Sequence, residues 1–155
     1  MADTIFIRKA EASDFEQVYN LIKELAVFEK APDEPSISLE IFIQDGTAKP
    51  PKYHVIVAEK EQAIVGMALY YYGYSSWKGA MLYLDDIIVK EDCRKNGIGK
   101  LLMDELINIA KEERVNIMKW QFLDWNENAI NFYKKYPIVI DGEWINVKIE
   151  KENLA

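Results

Sequence analysis

The chain has 155 residues, 50% of them apolar, which suits one globular domain covering residues 1–155. Its net charge of −7 argues against a nonspecific nucleic-acid binder, because phosphate contacts require clustered positive charge. No apolar run approaches the about 20 residues that a bilayer-spanning helix needs, and the single cysteine, Cys93, excludes an internal disulfide. Residues 1–4 lack the pattern of a signal peptide, so we expect a cytoplasmic protein without membrane contact.

The first third of the chain predicts one strand followed by two helices. Alternating apolar residues indicate a strand over residues 4–8. Ser13 and Glu16 have the spacing of a capping box, which predicts that Ser13 caps the first helix. A shorter helix is predicted to begin near Ser38 and to end at residues 45–46, where a glycine suits a left-handed C-terminal turn.

The middle of the chain predicts three strands, a long helix and a further strand. Residues 53–59 and 63–72 are rich in β-branched and aromatic residues with a short polar connection between them, so they should form a hairpin. A third strand of this region follows over residues 80–89. Apolar residues at helical spacing then predict a helix over residues 97–113, and residues 117–123 predict a strand. That strand–helix–strand step indicates a parallel, right-handed crossover.

The last part of the chain predicts a short helix and a second hairpin. Residues 128–135 indicate the helix. The dipeptide Asp141-Gly142 lies between β-rich runs at residues 138–140 and 143–149, which is a strong hairpin signal. The predicted fold is therefore α+β with three layers (α/β/α), in which helices flank a central, mixed, mostly antiparallel sheet of about seven strands.

The turn between the strand at residues 80–89 and the long helix carries the chemical information. A helix start offers unpaired N–H groups and the positive end of the helix dipole, which attract phosphate. Gly97 and Gly99 leave the backbone accessible there, and Arg94 adds positive charge. Leu101 and Leu102 stand where a Walker motif and a dinucleotide fingerprint require other residues, so both are excluded. The local pattern also fits a glycine-rich turn before an ordinary surface helix.

The same turn resembles the signature of a known superfamily. Arg94-x-x-Gly97-x-Gly99 matches the Gln/Arg-x-x-Gly-x-Gly/Ala motif of the GNAT superfamily of N-acetyltransferases, in the same place between a strand and a long helix. The chain is most similar to the spermidine/spermine (diamine) N-acetyltransferase branch, over roughly residues 4–149. The further segments that carry the resemblance are Leu21-Ile22-Lys23-Glu24-Leu25-Ala26, Tyr53-His54, Val57-Ala58-Glu59, Ile64-Val65-Gly66, Tyr70-Tyr71, Tyr83-Leu84-Asp85-Asp86, Trp125-Asn126-Glu127 and Asn131-Phe132-Tyr133-Lys134-Lys135.

The resemblance implies that the protein binds acetyl-CoA. In that superfamily the backbone of the strand before the turn pairs with the pantetheine arm, and the pyrophosphate lies on the turn. Asn126 corresponds to a residue that contacts the cofactor, and Tyr133 to the tyrosine that faces its sulfur. The implied cofactor-binding residues are Ile87, Ile88, Val89, Arg94, Lys95, Asn96, Gly97, Ile98, Gly99, Lys100, Asn126, Ala129 and Tyr133.

The resemblance also implies direct acetyl transfer to an amine. Asp85 stands where the diamine branch has a glutamate and is the candidate general base, acting through a water because its side chain is one methylene shorter. Tyr133 is the candidate general acid for the departing sulfur. Phe28, Glu29 and Asp85 are the candidate substrate-binding residues, with Glu29 holding a remote ammonium group. The implied acceptor is a small primary amine: a polyamine, a diamine, or a lysine-like amino acid such as thialysine.

The residues leave alternatives for the site and for the acceptor. Asp85 also fits a strand-end cap, Tyr133 a core aromatic residue and Asp86 a structural carboxylate. The loop before Trp144 is shorter than in the diamine branch, so a protein or peptide acceptor stays open, as does a noncatalytic acyl-CoA-binding regulator. The resemblance implies a homodimer formed through the late strands. No metal site is predicted, because the single histidine, His54, has no second ligand near it in the sequence.

Overall fold

The computed structural model describes residues 3–154, which form two compact units. The first comprises residues 3–121 and holds a sheet, and the second comprises residues 122–154 and holds one short α-helix. Within residues 3–154, no helix has both the length and the apolar character needed to cross a membrane. A single domain over residues 1–155 stays a prediction, and residues 1, 2 and 155 of it lie outside the described part of the chain.

The first unit is a five-stranded mixed sheet with helices packed on it. Its strands are adjacent in chain order: β1 (Ile5–Lys9), β2 (His54–Lys60), β3 (Ala63–Ser75), β4 (Gly79–Val89) and β5 (Ile117–Trp120). Its helices are α1 (Phe15–Phe28), α2 (Leu39–Thr47) and α3 (Ile98–Glu112). Strands β1 to β4 pair antiparallel, and α3 leads to β5, which pairs with β4 in parallel. The predicted hairpin and the predicted parallel crossover are thus confirmed.

Alternation along the strands divides the core between the two faces of the sheet. On one face, α1 and α2 pack over a cluster that includes Val57, Met67 and Ile88. On the other face, α3 approaches β3 at Gly66, where an added Cβ would lie 3.1 Å from the carbonyl oxygen of Ile88 and 3.3 Å from Leu102. A side chain at position 66 would push α3 outward, so this glycine sets how closely the helix approaches the sheet.

The cap of the first helix lies one residue later than predicted, at Asp14 and not at Ser13. A 3-10 turn over Ala12–Asp14 precedes the helix, and the backbone N–H of Glu11 donates to the Asp14 carboxylate at 2.7 Å. Arg8 on β1 donates to the same carboxylate at 2.6 and 3.0 Å. The predicted capping box was wrong because Asp14 gains a charged partner from a neighbouring strand, which local spacing does not reveal.

Gly46 lies inside α2 and does not form the predicted left-handed turn at its end. The helix begins after its predicted cap, Ser38, and Gly46 has no positive φ. An added Cβ at position 46 would meet the hydroxyl of Tyr53 at 2.5 Å and the ring of Phe15 at 2.9 Å. Close packing is therefore the reason for glycine at this position.

The second unit contains one α-helix and no strand in its described part. Its regular elements are α4 (Glu127–Tyr133), near the helix predicted over residues 128–135, and a 3-10 turn over Lys151–Asn153. The predicted strands at residues 138–140 and 143–149 are absent. Residues 3–154 therefore hold five strands, and the expectation of about seven was wrong.

The Asp-Gly hairpin fails because the local hydrogen bonds form differently. Gly142 lacks the positive φ that a type I′ turn requires. The Asp141 carboxylate instead accepts hydrogen bonds from the backbone N–H of Glu143 at 3.3 Å and from the indole N–H of Trp144 at 2.9 Å. A side chain that bonds its own neighbours in this way competes with the backbone pairing of a hairpin.

Apolar side chains of the second unit are exposed along the same segment. Val139, Ile145 and Val147 are each at least 88% exposed. A run of exposed apolar side chains is typical of a surface that another element or chain covers. The homodimer that the resemblance implies stays a prediction.

We expect Gly46→Ala to lower the free energy of unfolding by about 1–3 kcal/mol, although alanine is the better helix former. The added Cβ would press on the Tyr53 ring, which stacks on Phe42 at 4.8 Å and donates a hydrogen bond to its carbonyl oxygen. Urea unfolding followed by tryptophan fluorescence measures the change. Gly142→Ala is the matched control, since a Cβ there meets nothing within 4 Å. Equal effects of the two substitutions would contradict the packing explanation.

Candidate active site

Strand β4 has two strand neighbours over its first part and one over its second. It pairs with β3 along its whole length, but β5 pairs with it only as far as Leu84. Lys90 donates its backbone N–H to Val65 on β3 at 2.8 Å. Backbone N–H and C=O groups point to alternate sides along a strand. Those of Ile87 and Val89 therefore point toward the edge of β4 that faces away from β3. No strand within residues 3–154 pairs with that edge beyond Leu84, which leaves it open to an extended ligand except at the Val89 carbonyl oxygen, where Arg94 donates.

A β-bulge interrupts β4 at the same point. Leu69 on β3 faces Asp86 and the next residue, Tyr70, faces Leu84, so Asp85 has no opposite residue. A bulge bends its strand and re-aims the side chain of the extra residue. Leu69 belongs to the core cluster beneath α1, and residues opposite each other share a face, which puts Asp86 on the α1 face of the sheet.

Helix α3 begins without a side-chain cap. Gly97 is its N-cap with φ of +78°, and Lys95 precedes it with φ of +64°. The N–H of Leu101 donates to the carbonyl oxygen of Gly97 at 3.0 Å, so the three N–H groups at residues 98–100 have no acceptor within the helix. The first turn contains no acidic side chain. This helix start, with its dipole, favours an anion.

Two side chains of the turn are engaged by the protein itself. Asn96 donates from its amide nitrogen to the carbonyl oxygen of Cys93 at 3.3 Å. Lys100 forms an ion pair with Asp104, one helical turn later. The turn therefore offers an anion its backbone N–H groups more than these two side chains.

Arg94 connects the turn to two other elements of the first unit. Its Nε donates to the carbonyl oxygen of Val89 at 3.0 Å, and its guanidinium lies over the Phe28 ring, 5.5 Å from the centroid. Val89 is the last residue of β4, and Phe28 is the last residue of α1. The predicted cofactor turn is thus in contact with a predicted substrate-binding residue.

A Schellman motif ends α1 and fixes Glu29. Lys30 adopts φ of +62°, and its N–H donates to the carbonyl oxygen of Val27 at 3.1 Å. The N–H of Ala31 donates to the carbonyl oxygen of Ala26 at 2.8 Å, which completes the motif. Glu29 is the C-cap between these bonds and is half-buried.

Three carboxylates interact around the bulge. Burial first, then the charge of Asp85 and then that of Glu29, together raise the pKa of Asp86 to about 7. The pKa of Glu29 is raised by burial and by Asp85, and that of Asp85 by the loss of surrounding water, although its side chain still reaches solvent. Such a group of negative charges favours a cation beside it. The interpretation of Asp86 as a structural carboxylate, made from the sequence, does not reveal that Asp86 belongs to this group of carboxylates.

Two tyrosines beside the carboxylates were not among the predicted site residues. Tyr71 and Tyr83 face each other across β3 and β4, and their rings stack with centroids 5.1 Å apart. Burial raises the pKa of both, and the charge of Asp85 raises both further. Each tyrosine lies in a segment with an ordinary strand sequence. Only the register of the two strands shows that the two tyrosines lie opposite each other.

In the second unit, the predicted residues lie along α4. Asn126 caps the helix, since its side-chain oxygen accepts the N–H of Ala129 at 3.1 Å. Tyr133 is 5% exposed, with its ring stacked on Phe122 at 5.8 Å and edge-on to Phe132 at 5.3 Å. Asn126 and Tyr133 thus have structural roles in this unit, and their implied roles toward the cofactor stay predictions.

Comparison with known proteins identifies close relatives in sequence. The profile of the acetyltransferase (GNAT) family matches residues 15–136. Thialysine N-epsilon-acetyltransferase of Bos taurus is 38% identical over 138 residues, which cover 84% of this chain and 81% of that protein. Spermidine/spermine N(1)-acetyltransferase-like protein 1 of Homo sapiens is 34% identical over 138 residues, 84% of this chain but 20% of that protein.

A solved structure shares the fold. The crystal structure of an aminoglycoside acetyltransferase from an uncultured soil metagenomic sample, in complex with trehalose, matches with a TM-score of 0.78. The match covers 94% of this chain and 95% of that chain at 18% identity. With the profile match over most of its length, the chain belongs to the acetyltransferase (GNAT) family and is an N-acetyltransferase. Enzymes of this family use acetyl-CoA as the acetyl donor.

We expect Asp86→Asn to stabilise the protein more at pH 8 than at pH 5. The pKa of Asp86 is about 7 in the folded protein and about 3.9 in the unfolded chain. Between these values the folded state binds more protons, so stability falls as the pH rises. Removing the charge removes this loss, which amounts to about 2–3 kcal/mol between the two pH values.

Urea unfolding at pH 5 and pH 8 measures that difference. Asp33→Asn at an exposed position is the control. An equal gain from Asp86→Asn at both pH values would contradict an unfavourable carboxylate at position 86.

Proposed function

We propose that the protein transfers acetyl from acetyl-CoA directly to the primary amine of a small cationic molecule: a lysine-like amino acid such as thialysine, a diamine or a polyamine. The observation that carries the proposal is the group of carboxylates Glu29, Asp85 and Asp86 around the bulge of β4. An ammonium group is stabilised beside these charges, whereas a neutral or anionic acceptor is not. The thialysine N-epsilon-acetyltransferases among the similar proteins support the same substrate class.

Features of the first unit suit the phosphates and the extended arm of coenzyme A. The three uncapped N–H groups at residues 98–100 and the positive end of α3 suit a pyrophosphate. The open edge of β4 suits an arm that carries amide groups and pairs like an added strand. We assign cofactor binding to Ile87, Ile88, Val89, Arg94, Lys95, Asn96, Gly97, Ile98, Gly99 and Lys100 in this unit, and to Asn126, Ala129 and Tyr133 in the other.

In the proposed reaction, Asp85 accepts the proton that the attacking amine loses. A protonated amine has no lone pair with which to attack a carbonyl carbon, so it must first release a proton. Asp85 is the unpaired residue of the bulge and its side chain reaches solvent, so a water can relay that proton. Its raised pKa makes it a better base than an ordinary aspartate. Bound acetyl-CoA supplies the activated thioester.

Two further groups act on the thioester side of the proposed reaction. The backbone N–H of Ile87, on the open edge of β4, is the donor for the developing negative charge on the carbonyl oxygen. The hydroxyl of Tyr133 is the donor for the departing sulfur. Stacking on Phe122 restricts the Tyr133 ring, which limits the motion of that hydroxyl.

The proposed acceptor site is completed by aromatic and acidic side chains. Phe28, Glu29 and Asp85 bind the substrate, with Glu29 as the counter-ion for a second ammonium group. We add the stacked pair Tyr71 and Tyr83, because the charge of Asp85 acts on both and their ring faces attract a cation.

A panel of acceptors tests the proposed substrate class by consumption of acetyl-CoA. We expect turnover with thialysine, diamines and spermidine. Comparing 1,4-diaminobutane with butylamine isolates the second ammonium group, and we expect about a tenfold or larger advantage in kcat/KM for the diamine, since a charged hydrogen bond is lost in the monoamine. Faster acetylation of lysine-containing or N-terminal peptides than of every small amine would replace the proposal with a protein N-acetyltransferase.

We expect Asp85→Asn to lower kcat by about 10²-fold or more, and Tyr133→Phe to lower it less, because a thiolate leaves readily without a proton. Tyr133→Phe keeps the ring that stacks on Phe122 and removes only the hydroxyl. Steady-state rates measure both effects, and thermal melts confirm folding. Asp33→Asn and Tyr74→Phe make the same chemical changes at exposed positions. Unchanged turnover in both site variants would rule out the assigned proton transfers.

A further inference from the structure

The contact between Arg94 and Phe28 joins two sites that the proposed function uses separately. Arg94 precedes α3 in the turn that we assign to the pyrophosphate, and Phe28 ends α1 next to the acceptor-side residue Glu29. The guanidinium carbon lies over the Phe28 ring, 5.5 Å from its centroid. This distance is that of a cation–π contact, in which the flat cation rests on the ring face.

Arg94 is held at one end of its side chain and has free donors at the other. Its Nε donates to Val89 at 3.0 Å, and its backbone N–H donates to Glu91 at 3.3 Å. Across residues 3–154, its two terminal nitrogens make no hydrogen bond or ion pair. Terminal guanidinium nitrogens are the donors with which arginine binds phosphate. The same guanidinium can therefore meet a phosphate at its tip while its face stays on Phe28.

The end of α1 combines its own hydrogen bonds with one strained residue. Glu29 and Ala31 donate their backbone N–H groups into the last turn of α1, each at 2.8 Å. Lys30 between them adopts φ of +62°, a strained conformation for any residue other than glycine. A helix end with a strained residue opens more readily than a helix interior. The fraction of molecules in which this end is closed is therefore sensitive to the contacts that hold the adjacent Phe28.

We propose that the Arg94–Phe28 contact is a positioning device through which bound coenzyme A orders the acceptor-binding end of α1. It rests on the proposed assignment of the pyrophosphate to the turn before α3. The phosphate fixes the guanidinium, the guanidinium holds the ring, and the ring keeps Glu29 in place. Donor binding then strengthens acceptor binding, and by thermodynamic reciprocity the acceptor strengthens donor binding by the same factor.

The contact itself sets the size of this coupling. Phe28 is 38% exposed, and a cation–π contact at an exposed site changes an equilibrium constant by about two- to fivefold. Because the contact already forms without coenzyme A, fixing Arg94 reduces the opening of the end of α1 by at most that factor.

Amide hydrogen exchange with coenzyme A alone tests the coupling without any amine. We expect saturating coenzyme A to slow exchange at residues 29–31 measurably, by up to about fivefold. Phe28→Leu keeps an apolar side chain without a ring and should abolish the effect, whereas Phe28→Tyr should retain it. The amide of Lys52, which donates to Asp45 at 3.0 Å after α2, is the internal reference. Phe6→Leu, at an exposed phenylalanine on β1, is the matched control.

Kinetics give a second readout once an acceptor is found. Phe28→Leu should raise the KM of the amine by about two- to fivefold, because it weakens amine binding and removes neither group assigned to the proton transfers. Arg94→Lys, which keeps the charge but not the planar group, should weaken coenzyme A binding and, even at saturating coenzyme A, lose the protection of residues 29–31.

The outcomes separate this coupling from the proposed function. Coenzyme A that binds without protecting residues 29–31, or protects them equally in Phe28→Leu, overturns the coupling and leaves the proposed function intact. Failure of coenzyme A to bind, measured by calorimetry on the same samples, overturns both. Protection that follows the ring at position 28, with no small amine acetylated, supports the coupling and overturns only the substrate class.

Discussion

The loss of one neighbour by β4 after Leu84 is the constraint on which the candidate site depends. Up to Leu84 the backbone of β4 is paired on both sides, and beyond it on one side only. An open strand edge is normally a liability, because it invites pairing with another chain. In this protein the bulge at Asp85 falls at the same point, so a bend, a residue without a cross-strand partner and an open edge coincide. A backbone donor at Ile87 and a carboxylate at Asp85 are thereby available at neighbouring positions.

The position of α3 follows from the same end of the sheet. Gly66 on β3 lies opposite Val89, the last residue of β4, and its missing side chain lets the first turns of α3 approach the sheet. The left-handed φ of Gly97 then turns the chain into the helix. Because the open strand edge and the uncapped helix start are joined by one short turn, a single extended ligand can reach both. An added Cβ at Gly66 would therefore disturb ligand binding through the position of the helix.

The sequence predicts what is periodic or contiguous and misses what depends on distant contacts. The strands of the hairpin, the long helix and the glycine turn are predictable because burial of one face, or one local motif, specifies each. The first helix start is not, because Arg8 on a neighbouring strand decides where Asp14 bonds. The last hairpin fails because Asp141 bonds its own neighbours and the β-rich runs gain no strand partner. The contact between Arg94 and Phe28 joins positions far apart in the chain, so only the fold brings them together.

Local charge, more than overall charge, accounts for the proposed preference for a cationic acceptor. The net charge of −7 attracts amines at long range, but salt screens that attraction beyond about 10 Å. Around the bulge, Glu29, Asp85 and Asp86 lose water and repel one another, which is why the pKa of Asp86 rises to about 7. The empty site therefore carries an electrostatic cost that a bound ammonium group offsets and a neutral group does not. Selection of the substrate's charge thus follows from the unfavourable electrostatics of the free site, in which the bulged Asp85 acts on its neighbour Asp86.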